Sequence, residues 1–282
     1  MITHYLSGGL GNQLYQIITT IALAKQSNQP FFFTYYEFLG SGKETIRKTY
    51  WETLLNRIKP YTKTQPQLNL LNTFYINEIN HSYNLIVFPT LRPDDLFILN
   101  GYFQSYKYFA INFDEISKMI GFEEQKLEIQ RMFPDKYAIS IHFRLGDYAL
   151  FPESHPILSY QYYSRSLKYI LFQLKTCNVK ILFFCEEIDY SSVQNIIKLL
   201  QDEFIMCTFH CISFSIPDWK QLLIMSLCEN NIIANSTFSL WGAFLNTNSR
   251  KIVCYPKEWF GRNAPNNTSD MFPESWKQIS EN

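Results

Sequence analysis

The alternation in the second half of the chain is what most constrains its fold. Short β-rich runs at 137–143, 179–185, 204–212, 231–234 and 251–255 are separated by helical patterns. Strands that alternate with helices in this way build a parallel sheet covered on both faces. The helix faces can be read directly. Tyr163, Leu167, Ile170, Leu171 and Leu174 share one face, Val193, Ile196, Ile197 and Leu200 a second, and Trp219, Leu222, Leu223 and Leu227 a third. A shorter helix follows from about Thr237. The expectation is an α/β fold whose C-terminal half is a doubly wound, Rossmann-like sheet.

The first half reads as a looser α/β unit. Strand candidates lie at 2–6, 31–36 and 97–100, and Leu14, Ile17, Ile18 and Ile21 mark one face of a helix. The class of residues 40–84 is not apparent from their pattern. Residues 115–133 read as one charged helix closed by Pro134, where a domain boundary is expected. Two facing domains with a cleft between them follow from this division.

Composition narrows the function. The 282 residues carry 25 Lys+Arg against 25 Asp+Glu, so no global field grips nucleic acid or an anionic membrane. No apolar stretch approaches the length of a membrane span and the N-terminus has no basic leader, which predicts a cytoplasmic protein. The six cysteines sit in or beside apolar runs and read as buried free thiols in a reducing compartment. Cys207, His210 and Cys211 lie on a strand-like run without the paired spacing of a zinc site, so no metal is expected there.

Ligands of open parallel sheets bind beyond the carboxyl ends of the strands, and three motifs fall at such places. Gly8-Gly-Leu-Gly11-Asn12-Gln13 joins a strand to a helix N-terminus, where backbone amides and the helix dipole favour an anion. Leu14 replaces the third glycine of the dinucleotide fingerprint, which makes a dehydrogenase a poor fit. His142-Phe-Arg144-Leu-Gly-Asp147-Tyr148 leaves the strand at 137–143, and Arg144 suits bidentate contact with a diphosphate. Its bland reading is an ion pair with Asp147 that shapes the loop. Asn235-Ser236-Thr237-Phe238-Ser239 opens a helix with three hydroxyls near its positive end, as an anion cradle or as an ordinary cap. No D-x-D triplet occurs, so a phosphate-handling chain of this kind relies on Arg and helix ends as its cations.

Together these motifs resemble the α-1,2-fucosyltransferases of glycosyltransferase family 11. Gly101-Tyr-Phe-Gln-Ser-Tyr106, Met225-Ser-Leu-Cys228 and Asp270-Met-Phe-Pro-Glu-Ser-Trp276 extend the resemblance nearly end to end. It implies a GT-B-type fold of two Rossmann-like domains facing a cleft: residues 1–134 on the acceptor side, residues 135–265 binding the GDP-sugar, and residues 266–282 packing back across the cleft. The implied reaction is inverting transfer of L-fucose from GDP-fucose to the 2-hydroxyl of a terminal galactose, with no metal. By the same resemblance Arg144 contacts the diphosphate and His142 lies in the GDP pocket. Ser236, Thr237 and Phe238 hold phosphate and nucleoside, Gly11 and Asn12 approach the diphosphate from the other domain, and Asp218 contacts guanine or ribose. The acceptor hydroxyl also needs a base, for which Asp147 and His155 are the candidates. By analogy with bacterial enzymes that act on lipid-linked glycans, peripheral contact with the inner membrane is expected.

Two departures from the family pattern stand out. Leu145 replaces a usual second Arg, and Cys185-Glu186-Glu187 stands where Ser-Asp-Asp is common. The alternatives are a GT-B transferase with another nucleotide-sugar donor, and a non-catalytic glycan- or nucleotide-sugar-binding protein.

Overall fold

The computed structural model describes residues 1–40, 45–64, 72–88, 92, 94–146, 148, 153–262 and 267–281. The chain divides into two compact units, Met1–Glu124 with Asn267–Pro273, and Gln125–Asn266 with Glu274–Asn282.

In the first unit, strand β1 (Ile2–His4) leads through Gly8 and Gly9 into helix α1 (Leu10–Gln26). Short pairs follow: β2 (Phe33–Thr34) with β5 (Thr62–Lys63), and β3 (Phe38–Leu39) with β4 (Arg47–Lys48). The main sheet of the unit is parallel, in the order β1, β7 (Asp95–Asn100), β6 (Asn72–Asn77). Leu96, Phe97, Ile98 and Leu99 are buried in succession, as expected of a central parallel strand. The charged run at 115–133 forms two helices, not one. Gly121, at φ +80°, closes α2 (Phe113–Ile120) in the left-handed conformation before α3 (Phe122–Met132) begins.

The division between units falls within α3, after Glu124, and not at Pro134. Phe122 is fully buried in the first unit. Lys126 belongs to the second unit, where its buried ammonium donates to the Leu245 carbonyl at 2.9 Å and to Thr247 Oγ1 at 3.3 Å. The C-terminal segment is shared as well. Asp270 is held in the first unit by the Lys107 ammonium and by Ser105 Oγ, which donates to its carbonyl at 2.6 Å. Lys277–Ile279 then adds an edge strand to the sheet of the second unit.

That second sheet has six parallel strands: β8 (Ile139–His142), β9 (Lys180–Phe184), β10 (Thr208–Cys211), β11 (Asn230–Ile232), β12 (Val253–Pro256) and β13 (Lys277–Ile279). Their spatial order is β10-β9-β8-β11-β12-β13. The chain starts in the middle, winds outward to β10, then returns beside β8 and winds the other way. This is the order of doubly wound nucleotide-binding sheets.

Side-chain alternation divides the faces. Ile139, Ile141, Phe143, Ile181 and Phe183 join one core with residues of α4 (Tyr160–Leu174) and α5 (Tyr190–Glu203). Ser140 and His142 point toward α6 (Asp218–Leu227) and α7 (Thr237–Phe244). Asn231 Nδ2 donates to Ser140 Oγ at 2.7 Å and to the Met225 carbonyl of α6 at 3.0 Å. In the second sheet five strands lie near their expected places, although at 204–212 Phe204 caps α5 and β10 starts only at Thr208, and the sixth, β13, was not expected. All six cysteines are free. Cys177 is exposed, however, and Cys211 half-buried, so only four are the buried thiols expected. Among the described residues no helix is long and apolar enough to cross a membrane.

Candidate functional site

The reversal of strand order lies between β8 and β11, and the two site motifs of the second unit leave those two strands. A ligand of such a sheet binds at this switch point. His142 ends β8, and its ring lies 5.4 Å from that of Phe238 in the first turn of α7. Tyr148 Oη donates to the Asn235 carbonyl at 2.9 Å and so ties the two loops together. Asn235 is itself anchored, with Nδ2 donating to the Pro156 carbonyl at 2.9 Å and to that of Trp259 at 3.3 Å. Below them, Tyr162 Oη donates to the Ile233 and Cys254 carbonyls at 2.5 and 3.2 Å and ties the exit of β11 to β12.

Two buried polar atoms here have no hydrogen-bond partner among the described residues: His142 Nδ1 and Asn235 Oδ1. Their residues are 7% and 2% exposed. Such orphans are rare in folded proteins and call for an explanation.

Arg144 forms an ion pair with Glu186, which follows β9, and its guanidinium lies 5.2 Å from the centre of the Tyr148 ring. The pair with Asp147 considered above cannot be assessed, because Asp147 lies outside the described residues. Leu145 packs against the hydrophobic core and brings no charge.

Ser236 occupies the N-cap position of α7 in extended conformation (φ −140°, ψ 128°), and its hydroxyl makes no capping bond. Thr237 and Phe238 are half-buried beside it. Ser239 departs from the expected cradle: it is fully buried, and its hydroxyl donates back to the Ser236 carbonyl at 3.2 Å. At the far end of α7, Lys251 Nζ donates to the Ala243 and Asn246 carbonyls at 2.7 and 2.6 Å. A cation there complements the negative end of the helix, as an anion at Ser236 would complement the positive end. Burial, with the Lys126 charge nearby, lowers the Lys251 ammonium to about 8. Asp218 begins α6 half-buried, with Oδ1 accepting from Trp219 N at 2.8 Å. His155 stacks on Tyr148 with ring centres 4.5 Å apart.

In the first unit Gly8 turns the chain at φ +77°, and Gln13 Nε2 donates to the Gly8 carbonyl at 3.0 Å and to that of Lys48 at 2.9 Å. Gly11 is buried in the first turn of α1, whereas Asn12 is half-buried and accepts from Gln104 Nε2 at 3.0 Å. A Cβ on Gly8 would stand 2.6 Å from Asn12 Nδ2. Gly8→Ala is therefore expected to cost about 1–2 kcal/mol and to displace Asn12, measurable as a lowered urea midpoint.

Burial sets the charge state of both strand-end histidines. Desolvation, reinforced by Arg144, lowers His142 to about 3. Desolvation likewise lowers His4, at the end of β1, to about 4, against a weaker upward pull from its hydrogen bond to the Tyr5 carbonyl. Both imidazoles are neutral at pH 7. Because the folded values lie below the unfolded value near 6.5, their contribution to stability is complete above that pH. It is lost as the pH falls toward 4, at about 1.4 kcal/mol per pH unit for each histidine. Urea midpoints at pH 7.5 and 5 should show the decline, and a flat profile would contradict neutral burial.

The family model for glycosyl transferase family 11 matches residues 1–280. The chain belongs to glycosyl transferase family 11. It is 26% identical to the O-antigen biosynthesis glycosyltransferase WbnK of Escherichia coli, over 96% of this chain and 98% of that protein. It is 23% identical to an alpha-1,2-colitosyltransferase of Escherichia coli, over 97% of each. Among solved structures, a mutant of Arabidopsis thaliana FUT1 in complex with GDP aligns at TM-score 0.48 and 10% identity, over 96% of this chain and 74% of that one. The glycosyl transferase family 9 structure from Veillonella parvula aligns at 0.47 and 10%, over 99% and 86%.

For this family 11 glycosyltransferase, reading the sequence singled out the loops at the switch point but missed their ties. The Tyr148–Asn235 and Arg144–Glu186 contacts, with Asp189 Oδ2 accepting from Gly146 N at 2.8 Å, join the exits of three neighbouring strands. The one signal in the sequence was the pair Glu186-Glu187, recognised as a departure but without a partner.

Proposed function

We propose that the chain is a galactoside α-1,2-fucosyltransferase, which moves L-fucose from GDP-fucose to the 2-hydroxyl of a terminal galactose with inversion and without a metal. The observation that carries this is the pair of orphaned buried atoms, His142 Nδ1 and Asn235 Oδ1, beside Arg144 at the switch point. A polar ligand there satisfies both atoms, and its diphosphate meets a guanidinium and the positive end of α7.

Arg144 neutralises charge that grows on the diphosphate as the glycosidic bond to the nucleotide breaks, which is where preorganised charge accelerates a reaction most. His142, neutral and buried, acts as a hydrogen-bonding wall of the pocket. Ser236, Thr237 and the first-turn amides of α7 receive phosphate oxygens, Phe238 packs on the nucleoside, and Asp218 contacts guanine or ribose. Asp147 is the proposed base. The two relatives with O-antigen and α-1,2-transfer names support a glycan acceptor carrying a free 2-hydroxyl.

The colitosyltransferase relative favours a second reading, in which the donor carries the 3-deoxy analogue of fucose. Calorimetric titration with GDP, GDP-fucose, GDP-colitose and UDP-sugars separates these possibilities. The proposal expects GDP compounds to bind, GDP-fucose as tightly as GDP-colitose or tighter. Preference for UDP-sugars would overturn it.

A further inference from the structure

The register of β8 on β9 pairs His142 with Phe184, so two residues beyond the strand ends Arg144 comes to lie beside Glu186. Their side chains form the ion pair, with the Arg144 side chain 18% exposed and that of Glu186 47%. A second acid of the same connection acts on the backbone: Asp189 Oδ2 accepts from Gly146 N at 2.8 Å. Asp189 is 9% exposed and fixed by its surroundings. Gly146 has φ +28°, and a Cβ on it would stand 3.1 Å from Glu186 Oε2. Arg144 and Gly146 are thus held by two carboxylates on one side, while Tyr148 is tied to Asn235 on the other.

The two acids differ in what they can do. Asp189 is buried and holds main chain, so it anchors the loop permanently. Glu186 is half in solvent, and among the described residues its carboxylate holds the guanidinium alone. A nucleotide diphosphate seeks that same guanidinium and carries more negative charge than one carboxylate.

We infer, building on the donor reading above, that Glu186 is a positioning residue that serves as a built-in counter-anion for Arg144 and competes with the donor diphosphate for it. Glu186 holds the guanidinium in place and must yield it when the diphosphate binds, while Asp189 keeps the loop backbone unchanged through the exchange. The carboxylate therefore weakens binding of the donor and of the product GDP, and it sets the position from which Arg144 acts.

The test is calorimetric titration of the full chain and of Glu186→Gln with GDP and with guanosine, which lacks the phosphates. GDP affinity is expected to rise about three- to tenfold in the variant, with guanosine affinity unchanged. In steady-state transfer, the donor KM and kcat are expected to fall together, because GDP leaves more slowly and Arg144 is less constrained. Glu186→Ala should change GDP affinity in the same direction, which guards against an effect peculiar to the amide. A Glu186 that merely supported the loop would leave GDP affinity unchanged or lower it, and either result overturns the inference while the donor reading stands. Failure of the unsubstituted chain to bind any nucleoside diphosphate would overturn both.

Discussion

Arg144→Ala is expected to lower sugar transfer roughly a hundredfold or more while leaving the melting temperature within a few degrees of its original value. The rate effect follows from removing one preorganised charge contact to the leaving group, a loss that typically costs 10²- to 10³-fold, or about 3–4 kcal/mol of barrier. The small stability effect follows from exposure. The Arg144–Glu186 pair keeps its side chains 18% and 47% accessible, and such pairs contribute about 0–1 kcal/mol. Arg144→Lys should recover only part of the rate, because an ammonium is a point charge without the planar fork that grips two phosphate oxygens. Initial rates of GDP release and thermal melts on the same preparations check both halves. Near-normal transfer by Arg144→Ala would remove Arg144 as the leaving-group stabiliser.

Trp241→Ala should do the reverse, disabling the site by loosening its frame. Trp241 is fully buried in the middle of α7, its ring centre 5.6 Å from that of Phe244, which packs on Trp276 at 5.0 Å. Deleting so large a buried side chain leaves a cavity and typically costs about 3–5 kcal/mol. For a unit of this size that lowers the melting temperature by about 10 °C. α7 also carries Ser236, Thr237 and Phe238 at its start, so activity should fall with stability and recover partly on cooling. Trp241→Phe, which refills much of the space, should restore most of both. A Trp241→Ala variant that melts normally would mean that α7 is not held by its core face.

Much of the second unit was legible from the sequence, because its strands are short apolar runs and its helices show clean apolar faces. The runs at 137–143 and 179–185 matched β8 and β9 within a residue or two at each end, and the helix starting near Thr237 became α7. The first unit was less legible for physical reasons. β6 (Asn72–Asn77) is mostly exposed and mixes Asn, Thr, Phe and Tyr, so it shows no buried face to detect. The split of α2 from α3 depends on the left-handed conformation of Gly121, and a single glycine inside a charged helical pattern does not announce that by itself.

At the site, the motifs named the residue types but not their pairings. Glu186 meets Arg144 only because β8 and β9 are neighbours in a given register, which is a tertiary fact. The inward turn of Ser239 reflects helical geometry: its hydroxyl reaches the Ser236 carbonyl one turn back and is spent there.

The decisive measurement is analysis of the product formed from GDP-fucose and lactose in the presence of excess EDTA. The account predicts that GDP is released and that a trisaccharide forms whose fucose is α-linked to the galactose 2-position, with the chelator leaving the rate unchanged. A reaction abolished by EDTA and restored by a divalent cation would contradict it, as would fucose on another hydroxyl.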